Sequence, residues 1–362
     1  MNHYIGFYKY IIMRRIFITH IVPQDKVLKY NLSVAACNFS RHLIEGKCFD
    51  EVYSILPTFV RGKIEHFDGL IYSNLRKHSI LGHFAPMFEN VYLFSRIPRD
   101  ASVWYYNCTI LNMILIILLK VLKPRVKQQM IILDYTPSRK PIERFFLWLT
   151  NKMNGTIKLA DSPLFTVRNT VCLPGVVPEK NIQYPQITTI KKEFLISGAL
   201  GDNIAMLPML LEAFSQLPEL TLHITGKAPD KKLVEQYSKK YSNIIYHGMI
   251  EYNDYLEILH KVPFLLSTRN PQFPENQCNF PSKIIEALLH NRIVISTLHY
   301  NQLDGIKYFE VSADKINFIQ QLNKISNMKE EKLFKYANQA GLIQERFNCN
   351  VWKKWMNTIE QI

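Results

Sequence analysis

The sequence predicts an α/β fold in which a parallel sheet is covered by helices on both faces. Three observations indicate this class. Short apolar runs recur along the second half of the chain, a glycine or a polar residue closes most of them, and a helical pattern separates each run from the next. Parallel strands need a crossover of this kind, and the alternation is typical of doubly wound sheets.

The second half of the chain shows the pattern most clearly. Its predicted strands lie at 193–197, 220–225, 244–248, 263–268 and 293–297, and its predicted helices end near Leu217 or cover 230–240 and 252–260. Parallel strands end at one edge of their sheet, which is where ligands bind in such folds. Four residues are expected together at that edge: Gly198, Gly226, Gly248 and Ser282.

The stretch 280–295, FPSKIIEALLHNRIVI, places a polar junction directly before an apolar helix and a strand. A helix that begins near Pro281 has first amide groups without intrahelical partners, so its N-terminus attracts anions. Ser282 and Lys283 add a hydroxyl and an ammonium group, and Glu286 lies one turn later on the same face. This arrangement suits a nucleotide, with Lys283 at the diphosphate and Glu286 at two ribose hydroxyls. The alternative is an ordinary capped helix whose charges point into water.

The second half resembles the family-4 retaining glycosyltransferases, which have the GT-B fold. The resemblance rests on Gly198 and on three segments: ITGK at 224–227, YHG at 246–248 and FPSKIIEALLHNRIVIST at 280–297. It implies two Rossmann-like domains facing each other across a cleft. The C-terminal domain would hold a nucleotide diphosphate sugar, and the N-terminal domain would hold the acceptor.

The resemblance also implies roles for individual residues. Glu286 would bind the donor ribose, Ser282 and Lys283 the diphosphate region, and Gly198 would let the backbone approach the nucleotide, with Gly248 on the same donor-binding edge. Where the family commonly has a second glutamate that touches the sugar, this chain has Cys278, and Glu275 is the candidate replacement. The family's basic pair after the glycine is also missing, which leaves three candidates for stabilising the leaving diphosphate: Lys227, Arg269 and Lys283.

The length of 362 residues, 48% of them hydrophobic and 20% charged, agrees with two globular domains. A polar, Pro-containing break at 181–192 indicates the linker. We therefore predict an N-terminal acceptor-binding domain at 1–185, a nucleotide-sugar domain at 186–345, and a C-terminal helix at 346–362 that packs back toward the first domain. Strand candidates in the first half are 16–22, 51–56, 69–72, 91–95, 102–107, 130–135, 155–161 and 169–175.

Asp134 is the catalytic candidate of the first domain, alongside Lys283 of the second. It follows an apolar strand, and polar residues at that end of a strand lie in the active sites of α/β proteins. The alternative is a structural cap for the helix that follows. His20 and Asp25, after the first strand, are candidates for binding the acceptor, although a lone histidine there is more often structural.

Charge is divided unequally between the halves. Residues 1–180 contain 24 Lys and Arg against 12 Asp and Glu, whereas residues 181–362 contain 20 against 18. A basic field attracts nucleic acid, anionic lipid or acidic substrates, or serves solubility alone. Nucleic acid is not expected because no zinc spacing or RNP-like motif occurs. The segments 110–122, expected as a buried helix, and 141–153, expected as an interfacial helix, favour peripheral contact with an anionic membrane.

Six cysteines without CxxC spacing or histidine clusters indicate reduced thiols rather than zinc ligands. Residues 1–15 show no cleavable signal pattern and are interpreted as an extension before the first strand, so the expected location is cytoplasmic, with possible attachment to the cytoplasmic face of a membrane. No DxD triplet occurs, and neither a metal nor another cofactor is expected.

Together these observations predict a retaining glycosyltransferase. It would move a sugar from a nucleotide diphosphate donor to an acceptor hydroxyl, on a glycan or lipid-linked glycan in surface polysaccharide biosynthesis. Two alternatives stay open. A GT-B nucleotide-sugar epimerase uses the same donor pocket, and a non-catalytic nucleotide-sugar-binding homologue would fit the missing basic pair and Cys278.

Overall fold

A computed structural model describes residues 13–137, 140–178 and 183–361. The predicted N-terminal extension falls largely on residues 1–12, outside the described part. Within the described ranges the chain forms two parallel sheets with helices packed on them. This confirms the predicted α/β class.

The first sheet contains seven described strands in the order β3-β2-β1-β4-β5-β6-β7. All its pairings are parallel. The strands are β1 (Arg15–Thr19), β2 (Glu51–Ile55), β3 (Leu70–Ile71), β4 (Ser102–Tyr106), β5 (Lys127–Ile132), β6 (Gly155–Lys158) and β7 (Thr170–Cys172). The strand order reverses between β1 and β4, and open sheets of this kind bind ligands beside that point.

The second sheet contains six described strands in the order β10-β9-β8-β11-β12-β13, again with parallel pairing. The strands are β8 (Glu193–Ala199), β9 (Thr221–Lys227), β10 (Ile244–Gly248), β11 (Phe264–Ser267), β12 (Ile293–Ser296) and β13 (Phe309–Glu310). Here the order reverses between β8 and β11, which places the switch beside the glycine at the end of β8.

The helices of the described residues cover both faces of each sheet. In the first half they are α1 (Val34–Glu45), α2 (Ala85–Arg96), α3 (Met113–Leu122) and α4 (Pro141–Thr150). In the second half they are α5 (Asp202–Ala205), α6 (Leu207–Ser215), α7 (Lys231–Lys240), α8 (Tyr252–Lys261), α9 (Pro274–Cys278), α10 (Ser282–Leu289), α11 (Lys315–Ser326), α12 (Glu330–Leu333), α13 (Ala340–Phe347) and α14 (Cys349–Glu360).

The predicted strand at 91–95 is wrong, because these residues belong to α2. The side chain of Asn90 holds this helix in place: its Nδ2 donates to Leu111 O at 2.6 Å, and its Oδ1 accepts from Leu115 N at 2.9 Å. These bonds join α2 to the start of α3. Leu93 is fully buried, and a helix places it next to Asn90 on one face.

Helices α2, α3 and α4 pack side by side on one face of the first sheet. Their inward residues, including Leu93, Leu115, Leu119 and Leu149, share one buried cluster with that sheet. Helix α3 was expected to be buried, but only one of its sides is. It buries Leu115, Ile116 and Leu119 and exposes its other side, which is also mostly apolar. Within the described residues, no helix combines the length and the apolar composition needed to cross a bilayer.

The last helix, α14, packs on the opposite face of the first sheet, together with α1. The buried carboxylate of Glu360 accepts from Trp104 Nε1 at 2.8 Å, from Ser102 Oγ at 2.5 Å and from Arg15 Nε at 2.8 Å. Trp352 packs edge-on against Phe39 of α1, with ring centroids 5.4 Å apart. The end of the chain is therefore part of the first domain's structure.

One buried cluster continues from the first sheet into the second. It contains Trp104 and Ile131 of the first sheet, Leu195 of β8, and Ile284 and Leu288 of α10. The residues on the other side of the second sheet form a separate cluster. The shared cluster brings α10 against the first domain and positions its N-terminus at the boundary between the two sheets.

Candidate functional site

Helix α10 begins at Ser282, with Pro281 at the N-cap position and no side-chain cap. Its N-terminal amides are therefore open to an anionic ligand. Lys283 Nζ lies 2.6 Å from Glu286 Oε2, and the two side chains are only 28% and 17% exposed. The ammonium also lies 4.0 Å from the centre of the Tyr255 ring. The charges of this helix are thus paired in a partly buried site instead of pointing into water.

Two tyrosines of α8 complete the surroundings of Glu286. Tyr252 OH donates to Oε1 and Tyr255 OH donates to Oε2, each at 2.9 Å. Burial raises the pKa of the Glu286 carboxyl, but the Lys283 charge and the hydrogen bonds from Lys283, Tyr252 and Tyr255 outweigh it, so the pKa lies below its ordinary value. Glu286 is therefore ionised at neutral pH and held by three donors.

Glycines form the backbone edge of the second sheet. Gly198 and Gly248 have φ of +105° and +72°, and a Cβ at either position would enter open space. Gly226 has φ of +120°, and a Cβ there would lie 2.1 Å from Gly198 O. The chain can therefore follow this edge only with glycine at 226, while the open space at 198 and 248 leaves room for a ligand beside the backbone.

Two of the other predicted donor-binding residues lie at strand ends of the same sheet, and the third lies in α9. Lys227 ends β9 and is exposed. Arg269 follows β11; its backbone N donates to Thr297 Oγ1 at 2.7 Å, its Nη1 lies 3.4 Å from Asn279 O, and burial lowers its pKa. Glu275 lies in the first turn of α9 and is partly exposed.

Asp134 lies just beyond the end of β5 and is open to the cleft. Burial among the cleft walls raises the pKa of this carboxyl, and the positive charge of Arg269 partly offsets that effect. The alternative role as the cap of the following helix is wrong, because α4 begins at Pro141 with Lys140 in the N-cap position and no side-chain cap.

The segment before α10 joins the two domains. Cys278 is 1% exposed and belongs to the buried cluster of the first sheet, with its Sγ 3.4 Å from Ser162 Oγ. Next to it, Asn279 Oδ1 accepts from Tyr135 N at 2.6 Å. In this chain, therefore, the position at which the resembled family has a sugar-touching glutamate carries a thiol that packs against the first domain.

A cavity of about 630 Å³ lies between the domains. Its walls are α1, the ends of β4, β5 and β6, residues 174–178 and 183–185, and the facing sides of α8 and α10. Asp134 of the first domain and Lys283 and Glu286 of the second all line it, so the fold unites candidates that are about 150 residues apart in sequence. The remaining walls are mostly apolar.

The two predicted acceptor residues lie elsewhere. His20 Nδ1 lies 2.6 Å from Ile55 O, burial lowers the pKa of its ring, and the ring edge faces Tyr106 with centroids 5.9 Å apart. Asp25 is exposed, with Oδ2 3.1 Å from Lys26 Nζ. Tyr106 is among the described residues that line the cavity, whereas His20 and Asp25 are not.

The sequence did not point to Tyr252 or Tyr255. They are three residues apart on an amphipathic helix, a spacing that equally fits an ordinary core face. Their position directly after the glycine-closed strand β10 is the one signal that places them near the ligand-binding edge.

Comparison with known proteins identifies structural relatives. No family model and no curated protein matches the sequence. Among solved structures, Anabaena HepE in complex with UDP and glucose has a TM-score of 0.66 at 12% identity, over 96% of this chain and 100% of HepE. A Burkholderia xenovorans α,α-trehalose-phosphate synthase (UDP-forming), in complex with glucose-6-phosphate, has 0.65 at 9% identity, over 96% of this chain and 100% of the synthase.

S. aureus TarM, in complex with UDP and sugar ligands, has a TM-score of 0.55 at 15% identity. That match covers 75% of this chain, which spans 58% of TarM. At such identities the comparisons establish the fold alone. The architecture is that of the GT-B proteins, with two Rossmann-like domains across a cleft, as the family resemblance implied.

Proposed function

We propose that the protein is a retaining glycosyltransferase that uses a nucleotide diphosphate sugar. The observation that carries the proposal is the cavity in which Lys283 and Glu286 of one domain meet Asp134 of the other. A cation at a helix N-terminus attracts a diphosphate, and an ionised carboxylate accepts hydrogen bonds from ribose hydroxyls. The UDP bound in the structures of HepE and TarM supports this donor class.

In the proposed donor complex, the diphosphate lies at the N-terminus of α10 beside Ser282 and Lys283, and the ribose lies at Glu286. Gly198 and Gly248 leave space for the nucleotide beside the backbone. Three further residues, at strand ends or in α9, stay candidates for the diphosphate or the sugar: Lys227, Arg269 and Glu275.

In the proposed transfer, the bond between the anomeric carbon and the leaving phosphate oxygen breaks as the acceptor hydroxyl bonds to the same face of the sugar. That phosphate oxygen takes the acceptor proton, so no covalent protein nucleophile is needed. The helix amides and Lys283 stabilise the charge that develops on the diphosphate. Asp134 faces them from the acceptor side. We propose that these groups suffice without a metal.

The proposed acceptor is a lipid-linked glycan in surface polysaccharide biosynthesis. The mostly apolar cavity walls support an acceptor with an apolar part, because moving apolar surface from water into an apolar cavity lowers the free energy. These walls include Phe39, Leu133, Val176, Phe280 and Ile285. His20 and Asp25 stay candidates for contacts with the glycan part outside the cavity.

We further propose that the first domain touches the cytoplasmic face of an anionic membrane. The outward sides of α2, α3 and α4 expose Phe88 (54%), Val121 (68%) and Trp148 (54%). Because the three helices pack on the same face of the sheet, these side chains share one side of the domain. Exposed basic residues Lys140 and Arg144 accompany them, and an apolar face with basic flanks suits an anionic lipid surface.

Two measurements test the proposed function. A thermal-shift screen across nucleoside diphosphates and nucleotide-sugars is expected to give a clear stabilisation by at least one of them. Mass spectrometry of a reaction with that donor and a lipid-linked acceptor should then detect the glycosylated product. An altered free sugar nucleotide without transfer would instead identify an epimerase, and stabilisation without any product would identify a nucleotide-sugar-binding homologue.

A further inference from the structure

The carboxylate of Glu286 is nearly saturated with hydrogen bonds. A carboxylate offers about four acceptor sites. Tyr252 occupies one on Oε1, and Tyr255 and Lys283 occupy two on Oε2. One site is left, whereas a ribose diol has two hydroxyls to donate. Both hydroxyls can bind Glu286 only if one of the present donors leaves.

Lys283 is the donor best able to leave. Tyr255 is 5% exposed and Tyr252 is partly buried, and each phenol ends a rigid ring with only two side-chain torsions, whereas the Lys283 side chain is 28% exposed. A lysine has a long flexible stem and a freely rotating ammonium group. The N-terminus of α10, directly beside it, is where a diphosphate would bind. A bound diphosphate therefore offers Lys283 a second anionic partner.

We propose that Lys283 moves from Glu286 to the diphosphate when the donor binds, and that this exchange opens the second acceptor site on Glu286 for the ribose. Tyr252 and Tyr255 keep donating to the carboxylate and hold its orientation while the ammonium is away. Recognition of the ribose and of the diphosphate is thus coupled: each strengthens the other. The inference rests on the proposed nucleotide site and adds that Lys283 changes its partner when the nucleotide binds.

The coupling can be measured with the two halves of the nucleotide as separate ligands. Uridine affinity is measured by ligand-observed NMR with and without saturating inorganic pyrophosphate, in the wild type and in Lys283→Met. In the wild type, pyrophosphate should tighten uridine binding at least about fivefold, the lower end of usual coupling factors. In Lys283→Met, the ratio of the uridine dissociation constants without and with pyrophosphate should fall to about one. The matched control is Lys231→Met, which removes an exposed i,i+4 pair with Glu235 on α7.

A second ligand separates the exchange from a general effect of pyrophosphate. With 2′,3′-dideoxyuridine, which lacks both hydroxyls, pyrophosphate should give no tightening in the wild type. Equal tightening for both nucleosides, or unchanged tightening in Lys283→Met with a normal melting temperature, overturns the exchange while leaving the nucleotide site intact. If uridine and UDP do not bind the wild type but another nucleoside diphosphate of the thermal-shift screen does, the same comparison is made with that nucleoside and its dideoxy analogue. If none of them binds, the nucleotide site itself is wrong and the exchange falls with it.

Discussion

The two domains use their buried charges differently. In the second domain, the Lys283–Glu286 pair faces the cavity and is only partly buried. In the first domain, the Arg76–Glu89 pair is 1% exposed on both sides, and neither residue is among the described residues that line the cavity. A pair at the cleft can exchange partners with a ligand, whereas a fully buried pair away from the cavity has no ligand within reach, and breaking it destabilises the fold.

The contacts of Arg76 indicate what it holds. Its guanidinium donates to Leu56 O at 2.6 Å and Pro57 O at 2.8 Å, and it binds both carboxylate oxygens of Glu89 on α2 at 2.7 Å. The loop after β2 is thereby joined to α2. A charged pair in this protein is therefore a functional candidate where it lines the cavity and a structural one where it does not.

The largest expected effect tests the structural pair. Glu89→Ala leaves Arg76 buried without its partner, which should lower the free energy of unfolding by about 3–5 kcal/mol. Chemical denaturation measures this change in the free energy of unfolding. At low temperature, the folded fraction of the variant should bind nucleotide as the wild type does. A mild loss of stability together with a large loss of nucleotide affinity would reverse the assignment of the two pairs.

The second prediction concerns Lys283. A cation beside the leaving diphosphate acts most strongly as charge develops, so Lys283→Ala should lower turnover about 100-fold or more and donor affinity by less. Steady-state kinetics and calorimetry with the donor separate the two quantities. The exposed Lys231→Ala variant is the control. Weaker donor binding with normal turnover would restrict Lys283 to ground-state binding.

The third prediction concerns Glu286. Its removal deletes the acceptor of the ribose hydroxyls, so Glu286→Ala should weaken nucleotide binding by about 1.5–3 kcal/mol while the fold is kept. Calorimetric titration with UDP measures the loss, and Glu235→Ala on α7 serves as the control. An unchanged affinity would show that the ribose lies elsewhere.

The sequence could predict those elements that local patterns determine, and it failed where contacts between elements decide the structure. Five of the six described strands of the second sheet were predicted, because each is a short apolar run closed by a glycine or a polar residue. The two-residue strand β13 was not predicted, because so short a segment shows no periodicity. Lys283 and Glu286 could be paired because they lie one turn apart. The strand predicted at 91–95 was wrong because a run of five mostly apolar residues is too short to distinguish a strand from a helix. The helix there is joined to α3 by the bonds of Asn90 to Leu111 and Leu115, which are contacts between segments that a local sequence window does not contain.

The site shows the same limit. That Asp134 shares a cavity with Lys283 depends on how the two domains meet, and no spacing in the sequence records it. The role of Tyr252 and Tyr255 depends on α8 lying beside α10. What sequence reasoning supplied was the chemistry of single strand ends and helix termini, and what it lacked was the packing between elements.

The smallest expected effects, about 1 kcal/mol for each basic residue near an anionic surface, test the outward face of the first domain. The double variant Lys140→Glu, Arg144→Glu should reduce cosedimentation with vesicles rich in anionic lipid, and high salt should release the wild type, because both weaken the same attraction. The matched control, Lys239→Glu with Lys240→Glu on α7, makes the same charge change on the second domain and should bind vesicles as the wild type does. Equal losses in both variants would mean that net charge alone governs attachment. Binding that ignores lipid charge, salt and both variants would leave the exposed side chains of α2, α3 and α4 without a membrane role.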